Sequence, residues 1–325
     1  MSHFELLPSS APVGQTTFGP GAARAAEPLL TWLSFPGGER HVRVAELPAL
    51  RGPSGAALGW TLRADIDDAQ GVVDLMLVAD ALRRRTGGDT PLTLWLPYVP
   101  YARQDRATLA GEAFSAQVFC QLVNMLDFDE VVIADPHSAV VVGCLQKVRV
   151  LTVAELLIPL LAQSRHRALL FDAVLVAPDA GALPRTLAFA SALQAYRREH
   201  GSSAPVQVLQ ALKHRNPQTG MLSAPRLAPE QAPCVLESVK AGHPLLVVDD
   251  ICDGGGTFMQ LATTLREHTQ APLYLYVSHG IFSKGVAGLH EQFDAVFCAF
   301  PFAKAAADLD NGVSERGVGG VRRAR

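Results

Sequence analysis

Five short apolar runs punctuate the chain: Leu92–Leu96, Val131–Ala134, Val174–Ala177, Leu245–Val248 and Leu273–Val277. Each is nearly continuous in apolar side chains rather than alternating, as strands buried on both faces of a parallel sheet are. Stretches with apolar positions at helical spacing lie between them, among them Ala113–Leu126 and Pro184–Arg198. Strands alternating with helices predict an α/β protein of two doubly wound parallel-sheet domains. We place the first domain at 1–148 and the second at 149–303, with a Gly- and Arg-rich tail at 304–325 that frays. Residues 1–30, rich in Ala, Pro, Gly and Ser, read as an irregular lead-in with room for one short strand.

Each apolar run leads into a polar, turn-forming cluster. The first is followed by Pro97-Tyr98-Val99-Pro100-Tyr101-Ala102-Arg103-Gln104-Asp105-Arg106, the second by Asp135-Pro136-His137-Ser138, and the third by Pro178-Asp179-Ala180-Gly181. The fourth gives Asp249-Asp250-Ile251-Cys252-Asp253-Gly254-Gly255-Gly256-Thr257 and the fifth Ser278-His279-Gly280. Ligands of open α/β sheets bind beyond the carboxyl ends of the strands, so these clusters outline a catalytic site.

The bulk numbers narrow the chemistry. A chain of 325 residues fits two domains, each of roughly 150. Its 28 basic and 31 acidic residues nearly cancel, which gives no general attraction to nucleic acid or an anionic membrane. Five dispersed cysteines without a CxxC pair argue against a disulfide framework and a zinc site. No basic segment followed by an apolar run opens the chain, and no apolar stretch approaches the ~20 residues that span a bilayer. A cytoplasmic protein is the expectation.

Between the fourth run and Phe258 the glycines let backbone N–H groups turn toward one point, at the start of a helix whose terminus favours anions. That nest holds a phosphate without a Walker lysine, since no Gly-Lys-Ser/Thr follows. Asp249 and Asp250 would repel a bare phosphate and suit a ligand with hydroxyls beside its phosphate, a sugar phosphate. Glycines alone would fit an ordinary strand-to-helix turn; the acids and Thr257 favour the ligand. Asp135 and His137, two apart after a strand, can offer an oxygen and a nitrogen to one Mg²⁺.

This loop resembles the phosphoribosyl pyrophosphate loop of type I phosphoribosyltransferases, a superfamily that includes the ribose-phosphate pyrophosphokinases. Gly254 stands where the commonest kinase version carries a threonine. Tyr101-Ala102-Arg103-Gln104-Asp105-Arg106 is similar to the pyrophosphokinase ATP signature, and Phe35-Pro36-Gly37-Gly38-Glu39 resembles the family's adenine-holding turn, with Gly37 in place of an aspartate. The resemblance covers roughly residues 35 to 300 and implies transfer of the β,γ-pyrophosphoryl group of MgATP to the 1-hydroxyl of ribose 5-phosphate. It further implies that Phe35 stacks on adenine, Glu39 meets the exocyclic amine, and Arg103, Gln104, Asp105 and His137 serve ATP. Asp135, His137 and Asp179 would hold Mg²⁺, while Ala180 to Ala182 offer N–H groups to pyrophosphate. Asp179, Asp249, Asp250, Asp253, Gly254, Gly255, Gly256 and Thr257 would hold ribose 5-phosphate. Lys213-His214-Arg215 resembles the catalytic flexible loop, with Lys213 and Arg215 acting on the phosphoryl group. A homo-oligomer, dimer-based or hexameric, is implied as well. The sugar loop by itself also fits a nucleobase phosphoribosyltransferase, and a non-catalytic regulatory homologue is the other alternative. The segment Ala107-Thr108-Leu109-Ala110-Gly111-Glu112-Ala113 lacks cationic side chains, so weak binding of effector anions is expected there.

Overall fold

The structure, a computed structural model, describes residues 2–9, 29–51, 57–212, 226–227, 233–309 and 313–315. It divides into two compact units, Met1–Leu151 and Thr152–Arg325.

In the first unit the strands and helices run in the order β1 (His3–Pro8), β2 (Leu30–Ser34), β3 (Arg40–Val44), β4 (Leu50–Arg51), β5 (Ala57–Leu58), β6 (Trp60–Asp65), α1 (Ala69–Thr86), β7 (Leu92–Leu96), α2 (Ser115–Met125), β8 (Glu130–Ala134), α3 (Ala139–Cys144) and β9 (Val148–Leu151). The main sheet has the order β1-β6-β7-β8-β9. Strands β6 to β9 are parallel, and β1 closes the edge antiparallel to β6. The lead-in therefore contributes a strand. Every residue of β7 and β8 is buried, which is why their sequences are apolar runs without alternation. Asp68 caps α1 by accepting from the Gly71 N–H at 2.9 Å, and Leu75, Val78, Ala79 and Leu82 turn one apolar stripe inward.

Strands β2 and β3 form a separate hairpin anchored to α1. Arg40 lies 4.2 Å over the Trp32 ring and ion-pairs with Asp74 of α1, which also accepts from Gln70.

The second unit comprises α4 (Val153–Ala162), α5 (Leu169–Asp172), β10 (Val174–Ala177), α6 (Leu183–Glu199), β11 (Val208–Leu212), β12 (Arg226–Leu227), α7 (Pro233–Lys240), β13 (Leu245–Cys252), α8 (Gly256–Arg266), β14 (Leu273–Gly280), β15 (Ala295–Pro301) and β16 (Val313–Glu315). Its sheet runs β12-β11-β10-β13-β14-β15-β16, with β11 to β15 parallel and the two edge strands antiparallel. The expected irregular tail thus supplies an edge strand at Val313–Glu315. Strand order reverses between β10 and β13 in this unit, whereas β6 to β9 of the first unit advance in one direction. The reversal that defines double winding belongs to the second sheet, and the loops after β10 and β13 flank the switch point where such sheets bind ligands.

Strands β13 and β14 are longer than their apolar runs suggest. Pairing continues through Asp249↔Val277, Ile251↔His279 and Cys252↔Gly280, so the acid pair and Ser278-His279-Gly280 are strand residues rather than loop residues. His279 is buried and stacks on Phe300 with ring centroids 6.0 Å apart. Among the described residues no helix is long and apolar enough to cross a membrane.

Removing the guanidinium of Arg40 leaves the buried Asp74 carboxylate without its cation. Arg40→Ala is expected to lower unfolding stability by about 3–5 kcal/mol. In a urea titration series the Arg40→Ala/Asp74→Ala double variant should lose clearly less than the sum of the single variants.

Candidate active site

The acids of β13 converge on a residue that the sequence did not single out. Arg185, in the first turn of α6, directs Nη1 to Asp250 Oδ1 at 3.3 Å and to Asp249 Oδ1 at 3.5 Å. The side chains of Arg185, Asp249 and Asp250 are 13%, 16% and 6% exposed. Asp249 Oδ1 also accepts from the Asp250 N–H at 2.9 Å. Burial, followed by the neighbouring Asp250 charge, pushes the Asp249 carboxyl well above the ordinary aspartate range, and Arg185 pulls it back. The cation is thus the element that lets two adjacent buried carboxylates persist at a strand end.

After β13 the chain turns through Asp253, Gly254 and Gly255 into α8. Gly255 adopts φ 75°, and a Cβ there would lie 2.9 Å from Leu289 Cδ2, so both backbone and packing require glycine. Gly254 and Gly256 are under no such constraint: a Cβ on Gly256 meets nothing within 4 Å, and one on Gly254 meets the Lys284 side chain at 3.6 Å. Only one of the three glycines is therefore demanded by the turn. Asp253 Oδ1 accepts from Ser283 Oγ at 2.7 Å, and Asp253 O from the Ser283 N–H at 3.1 Å. Thr257 lies in the first turn of α8, half-buried. Beneath the loop the buried Cys252 thiol is pushed up to about 12, chiefly by burial and then by Asp253, and stays protonated at neutral pH.

Across the switch point, Asp179 Oδ1 accepts from the N–H groups of Gly181 at 2.9 Å and Ala182 at 3.0 Å. This corrects the expectation that the turn offers the N–H groups of Ala180 to Ala182 to a ligand. Two of those three donors serve Asp179, whose carboxylate, four residues before α6 begins, is the near acceptor for them.

In the first unit, the turn after β7 carries Arg103 and Gln104, both exposed, and Asp105, half-buried and ion-paired with Arg106 at 3.2 Å. Tyr101 takes φ 63° there, and Gln104 N–H donates to Tyr101 O at 2.9 Å. Asp135 ends β8 in a left-handed conformation, φ 34°, and is buried, while His137 is exposed. Their two-residue spacing therefore does not give them one shared environment. Among the described residues no group of three or more His, Cys, Asp or Glu side chains is placed to hold a metal ion. Phe35 and Glu39 close the β2–β3 turn, where Phe35 N–H donates to Glu39 O at 2.9 Å, and Phe35 is 48% exposed. Glu112 accepts from Thr108 N, Thr108 Oγ and Leu109 N at 2.7, 2.9 and 3.0 Å, which holds its carboxyl below the ordinary range, the Leu109 bond foremost. Lys213 and Arg215 lie outside the described residues.

A reversing parallel sheet with acids and a glycine turn at the switch point defines an α/β protein of the type I phosphoribosyltransferase fold. In fold it resembles phosphoribosylpyrophosphate synthetase from Mycobacterium smegmatis, with a TM-score of 0.54, 23% identity, and 77% of this chain and 72% of that one covered. Among curated proteins it is 29% identical to the ribose-phosphate pyrophosphokinase of Thermococcus kodakarensis over 251 residues, 77% of each chain. It is 26% identical to that of Pyrococcus abyssi, over 77% of this chain and 76% of the other. The match to the Cereibacter sphaeroides ribose-phosphate pyrophosphokinase, also 26% identical, spans 65% of this chain and just over half, 56%, of the relative. No family profile matches the chain. The chain is thus similar to ribose-phosphate pyrophosphokinases, at 26–29% identity.

Arg185 was missed because an arginine four residues beyond an Asp-x-Gly turn carries no signal alone; only the strand reversal brings α6 beside β13. Arg185→Met is expected to destabilise the fold by about 3 kcal/mol near neutral pH. Folding raises the Asp249 pKa, so the stability it contributes is present below the unfolded value and lost as pH rises through the folded one. Without Arg185 that loss deepens. Denaturant midpoints should show a smaller deficit for the variant at about pH 5 than at about pH 8.

Proposed function

We propose that the protein is a ribose-phosphate pyrophosphokinase that forms phosphoribosyl pyrophosphate and AMP from MgATP and ribose 5-phosphate. The observation that carries this reading is the Arg185-held acid pair running into the Gly-rich turn at the β10/β13 switch point. It combines hydroxyl acceptors with a phosphate nest in one strand end, and the similar curated proteins above are named ribose-phosphate pyrophosphokinases.

In this reading the turn Asp253–Thr257 takes the 5-phosphate, and Asp249 and Asp250 accept from ribose hydroxyls. Asp179 orders the neighbouring turn and faces the ribose. Phe35, Glu39, Arg103, Gln104 and Asp105 serve ATP. Asp135 and His137, with Asp179, would hold the Mg²⁺ that accompanies the triphosphate, where it neutralises phosphate charge. The ribose 1-oxygen attacks the β-phosphorus in line and loses its proton. The bond from that phosphorus to the α,β-bridging oxygen breaks, and AMP departs. Such transfers depend on positioning and on neutralising charge over the phosphoryl oxygens, the role assigned to Lys213 and Arg215.

Purified protein with ATP, Mg²⁺ and ribose 5-phosphate should release AMP and phosphoribosyl pyrophosphate in equal amounts; ADP, or no product, refutes the reading. Lys213→Ala should turn over at least about a hundredfold more slowly with substrate affinity nearly kept, since one electrostatic group acting in the transition state is worth ~10²–10³ in rate. Asp250→Ala should instead weaken ribose 5-phosphate binding.

The exposed Phe35 turn fits a second expectation, that adenine is completed by this turn from a neighbouring copy in a homo-oligomer. Light scattering at micromolar concentration should then give a dimer or larger assembly. A fully active monomer would contradict it.

A further inference from the structure

The proposed sugar-phosphate site combines an anionic ligand with three carboxylates, Asp249, Asp250 and Asp253, and Arg185 is already committed to two of them. The nest of N–H groups can take a phosphate but supplies only partial charge, so a cation beside the loop would strengthen binding of a dianion there.

Lys284 lays a cationic side chain against the loop. The segment after β14 is zipped onto the loop backbone: Ile281 N–H and Phe282 N–H donate to Cys252 O at 2.9 and 3.1 Å, and Ser283 N–H to Asp253 O at 3.1 Å. Phe282 is buried, and Gly280 has no room for a side chain, because a Cβ would stand 2.1 Å from the Phe282 ring. Lys284 follows directly on this anchored segment, so its backbone lies beside the loop. Its Cε and Cδ lie 3.6 and 3.7 Å from the position a Gly254 Cβ would occupy. Lys284 is exposed and makes no hydrogen bond or ion pair among the described residues. The carboxylate of Asp308 lies 3.8 Å from the position of a Gly285 Cβ, near the same turn.

We propose that Lys284 is a ligand-binding residue of the same site, its ammonium taking the 5-phosphate in the space that Gly254 leaves open. This rests on the ribose 5-phosphate reading above and adds a residue to it. A larger residue at position 254 would occupy the space along which the lysine stem now runs. The absent hydroxyl and the incoming ammonium are two parts of one exchange: a neutral contact from the loop itself is replaced by a charged contact from the neighbouring strand's turn.

Calorimetric titration of ribose 5-phosphate into the full chain tests this, with thermal midpoints as the check on folding. Lys284→Gln should weaken binding by about tenfold to a hundredfold, the range of one charge-assisted hydrogen bond. Lys284→Arg should stay within a few-fold of the native protein. Gly254→Thr/Lys284→Gln, which returns a hydroxyl to the loop, should recover part of the loss. Native-like affinity in Lys284→Gln, or equal losses in the Gln and Arg variants, overturns the inference and leaves the function intact. Absence of ribose 5-phosphate binding in the native protein overturns the function and this inference with it.

Discussion

Two carboxylates on consecutive residues of a buried strand repel each other and lose most of their solvation, and the second unit is arranged around that difficulty. Arg185 answers it from α6, the helix that follows β10. For the guanidinium to reach β13, β10 and β13 must be neighbours, which is the reversal in strand order. The same adjacency brings the Asp179 turn beside the glycine turn. Electrostatics and topology are here one constraint: the acids are tolerable only at a switch point, and the switch point is where a ligand has access.

That arrangement sorts the site by stiffness. Asp249 and Asp250 are fixed by ladder pairing and by the guanidinium, and Asp179 by two backbone donors. Gly255 is fixed by its φ and by Leu289. The groups proposed to meet ribose hydroxyls are thus held rigidly, as orientation-dependent contacts require. Phe35, Arg103 and Gln104 stand on exposed turns.

Strand positions and the location of the acids at strand ends were legible in the sequence, because runs buried on both faces cannot be disguised by polar residues. Strand lengths were not. Asp249 to Cys252 and Ser278 to Gly280 read as loop because they are polar or small, yet the ladder continues through them. Polarity signalled function there, and function overrode the apolar pattern that marks a strand. Strand β16 escaped because three residues give no periodicity. Arg185 and Lys284 escaped for a shared reason: each acts across a gap of dozens of residues closed only by the fold, and lone cations are common on surfaces. The donors of the Asp179 turn were assigned to a ligand because sequence shows that donors exist but not which acceptor has already claimed them.

The Glu112 carboxylate has the same character as a bound guest. It sits on the N–H groups of Thr108 and Leu109 as a foreign anion would, except that it is tethered to its host. Such a turn is already saturated, and an outside anion must evict a competitor that cannot diffuse away. Occupancy, as well as the missing cations, is thus a reason to expect weak anion binding there. Sensitivity could be restored by shortening one side chain, with the acid pair, the glycine turn and both sheets left as they stand.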